Sequence, residues 1–203
     1  MLRTIATETA IMTAQDVLDF WFLPAGDPAF GQQRAVWFRK DDVFDAAIGA
    51  RFGGLIEQAV AGGLREWDGQ GPAGTLARIL VLDQFTRNAW RGTAASFSGD
   101  ALALAAAQQI VDSGADQALL PVQRWFAYMP FEHAEDARMQ EHSVALFEAL
   151  AQHNAGFEGV LDYAHRHRGV IARFGRFPHR NAILGRASTD DEAAYLAQPG
   201  AGF

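Results

Sequence analysis

The chain has 203 residues, of which 49% are hydrophobic and 20% charged, with 15 Phe, 5 Trp and no Cys. A chain this apolar can offset the entropy of ordering, which excludes general disorder, while the missing cysteine excludes disulfides, thiolate catalysis and the usual structural zinc sites. The formal net charge of −7 excludes a general affinity for nucleic acid or anionic membranes, since both rest on a positive surface potential.

At this length one domain covering residues 1–203 is expected. The opening MLRTIATETAIM has no apolar core followed by a small-residue cleavage site, and no stretch approaches about 18 uninterrupted apolar residues. No export, no membrane span and a cytoplasmic protein are the expectations.

Thr13 with Asp16 three residues later makes a capping box for a short helix through Val17, Leu18, Trp21 and Phe22, which Pro24 stops. After the turn AGDPAFG, Asp41 or Asp42 opens a long helix through Phe44, Ile48, Phe52, Ile56 and Val60 that the Gly62-Gly63 pair ends. Pro72 suits the first turn of a helix through Leu76, Ile79, Leu80, Leu82 and Phe85. Asp100 reads as the cap of the alanine-rich run ALALAAAQQIV, which Ser113-Gly114 terminates. A short helix follows Pro121, and Pro130 interrupts it. Two longer helices run from about Glu135 to Gln152 and from Phe157 to Phe174. A last short one follows Ser188, boxed with Asp191.

No alternating strand pattern occurs, so the fold class is all-α, with seven to eight helices in antiparallel pairs as a bundle or short solenoid. There is no clean repeat near 34 residues to support the solenoid. The aromatic residues Trp21, Phe22, Trp37, Trp67, Trp90 and Trp125 are read as core.

The informative residues are charges whose helical position points them inward. Spacing of about 100° per residue puts Leu76, Leu80, Asp83, Arg87 and Trp90 on one stripe, with Asp83 and Arg87 as an i, i+4 ion pair and Arg91 one step on. The stripe of Met139, Ser143, Leu146 and Leu150 projects back through Asp136 and Glu132. In the helix from Phe157, Arg168 falls near the middle of the apolar stripe and His167 at its edge. Residues 164–187 carry Arg166, Arg168, Arg173, Arg176, Arg180 and Arg186 with three histidines and no carboxylate.

A buried charge needs a partner, so three accounts arise. The first is a structural salt-bridge network. The second is a pocket where Arg87, Arg91, Arg176 and Arg180, with Arg168 and Arg186 as further candidates, bind an anion. In it Asp83, Glu132, His133, Asp136, His167 and His179 are the candidates for moving protons. The third is a metal site built from Glu132, His133, Asp136, His167 and His179, whose spacings match no known ligand motif. No cofactor and no metal are expected.

The runs LDQFTRNAWRGTAASFSGD, YMPFEHAEDARMQEHSV and HRGVIARFGRFPHRNAILGRASTDDE, with the opening VLDFWF, resemble the bacterial domain of unknown function 924 family. The resemblance covers nearly the whole chain and implies an all-α fold related to tetratricopeptide-like hairpins, with no activity attached. The family's polar signature falls on Asp83, Gln84, Arg87, Asn88, Arg91, Asp100, Glu132, His133, Glu135, Asp136, Gln140, His167, Arg176, His179, Arg180, Asn181 and Arg186. Thr86 and Ala134 stand where the family usually has Pro and Ser.

Function is unassigned at this level. A tetratricopeptide-like scaffold that binds a protein or peptide is one expectation, with an open concave face and solvent-reachable arginines. An enzyme or receptor for a small anionic ligand is the alternative, with a closed pocket. Purely structural charges are the third.

Overall fold

The structure, a computed structural model, describes residues 12–202. Among these there are nine α-helices and no strand, as the all-α expectation requires. The reading of the opening residues as free of a targeting segment lies outside the described residues, apart from Met12. No helix among the described residues is long and apolar enough to cross a membrane.

Caps decide most helix starts. In α1 (Ala14–Phe22), Thr13 Oγ1 accepts from the Asp16 N–H at 3.2 Å while the Thr13 N–H donates to the Asp16 carboxylate at 2.9 Å. In α2 (Asp42–Val60), Asp41 accepts from the N–H groups of Val43 and Phe44, and the helix ends before Gly62, whose φ of 92° only glycine adopts without strain.

The centre of the molecule is a three-part helix. It runs as α3 (Pro72–Ile79), widens into a π turn over Leu80–Phe85, and closes as α4 (Thr86–Ala89). Every residue from 74 to 86 is buried, because α3 packs against α1, α5 and α6 and the π turn against α2, α5 and α6. A helix enclosed on all sides should be apolar on all sides, so the buried Arg78, Asp83 and Gln84 each need a partner. Arg78 finds Asp68 through two bonds of 2.9 and 2.7 Å.

Helix α5 (Asp100–Asp112) crosses the π turn closely. A Cβ on Gly99 would stand 2.1 Å from the Leu82 carbonyl oxygen, so a side chain there is sterically barred. Gly99, not Asp100, is the cap; Asp100 occupies the first helical position and its carboxylate turns to two arginines described below. Helix α6 (Pro121–Glu132) also departs from expectation by running through Pro130. The proline lies near the C-terminal end, where its missing N–H removes a single bond.

Helices α7 (Ala137–His153) and α8 (Glu158–Phe174) form a hairpin joined by residues 154–157, and α7 packs on both α6 and α8. Asp136 caps α7 from outside, accepting from the N–H groups of Arg138 and Met139 at 2.8 and 3.0 Å. Helix α9 (Asp190–Leu196) starts one residue later than expected, with a box made by Thr189 and Glu192. One buried apolar cluster extends from Ala14 to Ala164, and a smaller one gathers Val170, Ile171 and Phe177. Within the larger, Trp37 meets Phe126 at 4.8 Å and Phe52 meets Phe85 at 4.8 Å between ring centroids.

Candidate functional site

Asp83, on the π turn, is fully buried yet ionised. Burial pushes its carboxyl up, but Arg87 and His133, together with hydrogen bonds from His133 and Gln84, outweigh that and hold it well below the usual carboxylate range. His133 Nδ1 lies 2.7 Å from Asp83 Oδ1, Arg87 Nη1 3.0 Å from the same oxygen, and Gln84 Nε2 2.6 Å from Oδ2. Against an ionised Asp83, Nδ1 is the protonated nitrogen and Nε2 the ring's acceptor. Burial and the Arg87 charge lower the His133 pKa, against the pull of Asp83, which favours the neutral ring.

The backbone under His133 is clamped from two sides. Gln140 Nε2 donates to the carbonyls of Glu132 and Ala134 at 2.7 and 2.9 Å, and Arg180 Nη2 donates to the His133 carbonyl at 3.0 Å. These bonds satisfy the open C-terminal carbonyls of α6 and fix where its last side chains point.

Glu132 is the last residue of α6. Burial first, then the charge of Asp83, push its carboxyl up to about 8, so it is protonated at neutral pH. His167 Nδ1 lies 3.4 Å from Glu132 Oε1 and 2.8 Å from the Tyr163 carbonyl, to which it donates. Because burial lowers His167 to about 3, that approach joins two neutral groups and is no ion pair. Glu132 Oε2 is buried with no hydrogen-bond partner.

The arginines fall into different places. Asp100 receives both Arg87, through bonds of 2.8 and 3.0 Å, and Arg180, at 3.2 Å. Arg180 also stacks over Phe97 and Phe177, with burial and Arg87 lowering its pKa to about 10. Arg91 is held by Asp45 at 2.7 and 3.0 Å. Arg176 binds Glu192, and Arg186 binds Glu135, which also accepts from the Phe177 N–H. The segment GRFPHRNAILGR is thus a loop whose arginines fasten it to α9 and to the α6–α7 corner.

Two candidates stand apart from this cluster. Asp136 is exposed and spent on capping α7, because the helix begins after it and its side chain folds back on the first turn. Arg168 flanks the buried stripe of α8 and pairs with Glu141 at 3.2 Å near the surface, whereas His167 is the residue turned inward. His179 packs against Phe177, 5.6 Å between ring centroids, its pKa lowered to about 4 by burial and Arg180. Among the described residues no group of three or more His, Asp or Glu is arranged to hold a metal ion.

Glu132, His133 and His167 border a cleft of about 540 Å³. Its rim carries Arg39, Lys40, Arg87 and Arg91, and its apolar wall is formed by Trp37, Phe38, Trp125, Met129 and Val160. Phe38 is 55% exposed and lies flat on Trp125, 4.7 Å between centroids at 18°. In the run RAVWFRK (residues 34–40) only Trp37 stands out in sequence, as core, although Trp-Phe beside Arg-Lys in a short loop is a usable signal for a site. Tyr163, half exposed on α8, was missed because it sits off the apolar stripe.

An all-helical protein in which a histidine backed by a buried carboxylate and a protonated carboxyl border a cationic cleft is the class these observations define. More particularly, the family model described as bacterial protein of unknown function (DUF924) matches residues 17–200, and the chain belongs to that family. It is similar to the solved structure of a protein of unknown function, ATU0120, from Agrobacterium tumefaciens. Identity is 38%, over 92% of this chain and 97% of that one, with a TM-score of 0.78. No curated protein matches the chain. Neither name states an activity.

Proposed function

We propose that the chain is a receptor or enzyme for a small anionic metabolite with an apolar body, taken up in the cleft between residues 37–40 and the α6 and α8 faces. One observation carries this reading: the cleft is bordered by four cationic side chains, while its single carboxyl, Glu132, is neutral at pH 7. Arg87 and Arg91 already hold carboxylates, so Arg39 and Lys40, 70% and 68% exposed and only loosely paired at 3.4 and 3.3 Å, are the groups free to meet a ligand's charge. The aromatic wall suits the rest of the molecule.

A peptide scaffold is less well supported, because Arg180 is buried and Arg87 only 18% exposed, and both are paired instead of being offered to a partner. A purely structural network accounts for those arginines but gives no reason for an unpartnered carboxyl oxygen at the cleft. A cytoplasmic setting, where such metabolites are met, belongs to the same proposal, as does the absence of a nucleic-acid partner.

The test is thermal unfolding with phenylacetate, inorganic phosphate and neutral benzyl alcohol, for the native chain and for an Arg39→Ser, Lys40→Ser double variant. Phenylacetate at 100 times its Kd stabilises by about 2.7 kcal/mol. The expected result is a rise with phenylacetate that the double variant loses. Equal responses of the two chains, or none in either, count against the reading.

A further inference from the structure

Helix α6 ends at Glu132 and is capped by His133, two consecutive residues of opposite proton character. His133 is a base held in one tautomer by an ionised Asp83, and its acceptor nitrogen is Nε2. Glu132 is an acid, protonated at neutral pH, whose Oε2 lies buried and unpartnered. Both border the cleft, and His167 stands against both, 6.3 Å from the His133 ring and 3.4 Å from Glu132 Oε1. Acid and base therefore come from one helix turn, side by side, which suits a substrate whose proton leaves one atom while a neighbouring atom gains one.

The same lining excludes another chemistry. Among the described residues bordering the cleft there is no Ser, Thr or Cys, and its single Lys is 68% exposed at the rim, so no Ser, Thr or Cys nucleophile faces Glu132 and His133, and the polar rings that remain are those of His133, His167 and Tyr163. Proton transfer is what the remaining groups can do. The charge complement adds the substrate's other end, because a carboxylate suits Arg39 and Lys40 and a carbonyl oxygen suits a protonated carboxyl.

We propose that the cleft is an acid–base centre for small 2-oxo acids, in which His133, oriented by Asp83, takes a proton from the carbon beside the keto group and Glu132 gives one to the keto oxygen. The C–H bond breaks and its electron pair forms the carbon–carbon double bond. The carbonyl π pair moves to oxygen, which takes the Glu132 proton, and His133 Nε2 keeps the carbon-derived one. The enol returns by the reverse steps, with no co-reactant consumed. His133 and Glu132 are the catalytic residues; Asp83 and Gln140 are positioning residues. The proposal rests on the anion-cleft reading above.

Its test is loss of the C3 proton signal of pyruvate and of 2-oxo-4-phenylbutanoate in deuterated buffer, followed by proton NMR beside thermal unfolding with the same compounds. The native chain is expected to exchange C3 protons above the buffer rate. Exchange should fall at least about a hundredfold in His133→Ala. In Glu132→Gln it should fall less, since the amide can still donate a hydrogen bond but cannot deliver its proton. Should His133→Ala not fold, the native chain's own profile decides: exchange must decline as pH rises through about 8, where Glu132 loses its proton. Stabilisation by both acids without exchange above buffer overturns the proton-transfer proposal and leaves the cleft reading intact. Neither stabilisation nor exchange removes both.

Discussion

Arg87 and Arg180, from α4 and from the loop that follows α8, converge on the two oxygens of Asp100, Arg87 through two bonds of 2.8 and 3.0 Å and Arg180 through one of 3.2 Å. Two guanidinium groups from distant parts of the chain are thus neutralised by one carboxylate, with Asp83 taking the remaining share of Arg87. Removing the carboxylate leaves two mostly buried cations facing each other. Asp100→Ala is therefore expected to cost about 3 kcal/mol in chemical unfolding. Added acetate should restore part of that loss; a variant as stable as the native chain would show that the arginines find other partners.

Glu132 gives a pH signature. Its carboxyl titrates near 4.5 in the unfolded chain and at about 8 in the folded one, so between these values the folded state binds more protons and stability falls as pH rises. His167 and His179 act in the opposite sense, since lowered folded values make stability rise with pH up to their unfolded value of 6.5. Above pH 6.5 only the Glu132 loss remains of the three, at up to about 1.4 kcal/mol per pH unit. Glu132→Gln should flatten the decline between pH 6.5 and 8 and raise the unfolding temperature at pH 8. An unchanged slope would show that the carboxyl is ionised in the folded state.

Gly99→Ala tests the close crossing of α5 over the π turn. The added methyl would meet the Leu82 carbonyl oxygen at 2.1 Å, and the obstacle is backbone, which cannot swing aside. A loss of about 3 kcal/mol is expected in urea unfolding. Glycine's permissive φ plays no part, since Gly99 has a φ of −89°.

Arg168→Ala should change stability by less than about 0.5 kcal/mol, because its pair with Glu141 is solvent-exposed. It should also leave the phenylacetate response intact. Loss of that response would bring α8's outer face into the binding site.

The helices and their caps were legible because each start is a local hydrogen-bond problem with a local answer, as at Thr13 and Asp41. The inward ion pair of Asp83 and Arg87 was legible for the same reason, lying within one turn. What failed was phase and distance. Arg168 and His167 are one residue apart, and a helical wheel drawn from Phe157 as first residue placed the wrong one inside, although Phe157 is the cap and the helix begins at Glu158. Asp136 was taken for a helical residue when it is the cap, which reverses the direction of its side chain. The cleft itself brings residues 37–40 against α6 and α8, and no spacing rule within one helix carries that information.

The widened turn at Leu80–Phe85 sets the angular position of everything after it. Winding the same six residues as ordinary α-helix would swing the following segment about the axis by up to about 100°. Arg87 would leave Asp100, and Asn88 and Arg91 would leave Asp45, all in one step. The share of the cationic rim supplied by Arg87 and Arg91 therefore depends on how a buried stretch that carries neither charge is wound, and the winding at this place constrains the cleft as tightly as side-chain identity.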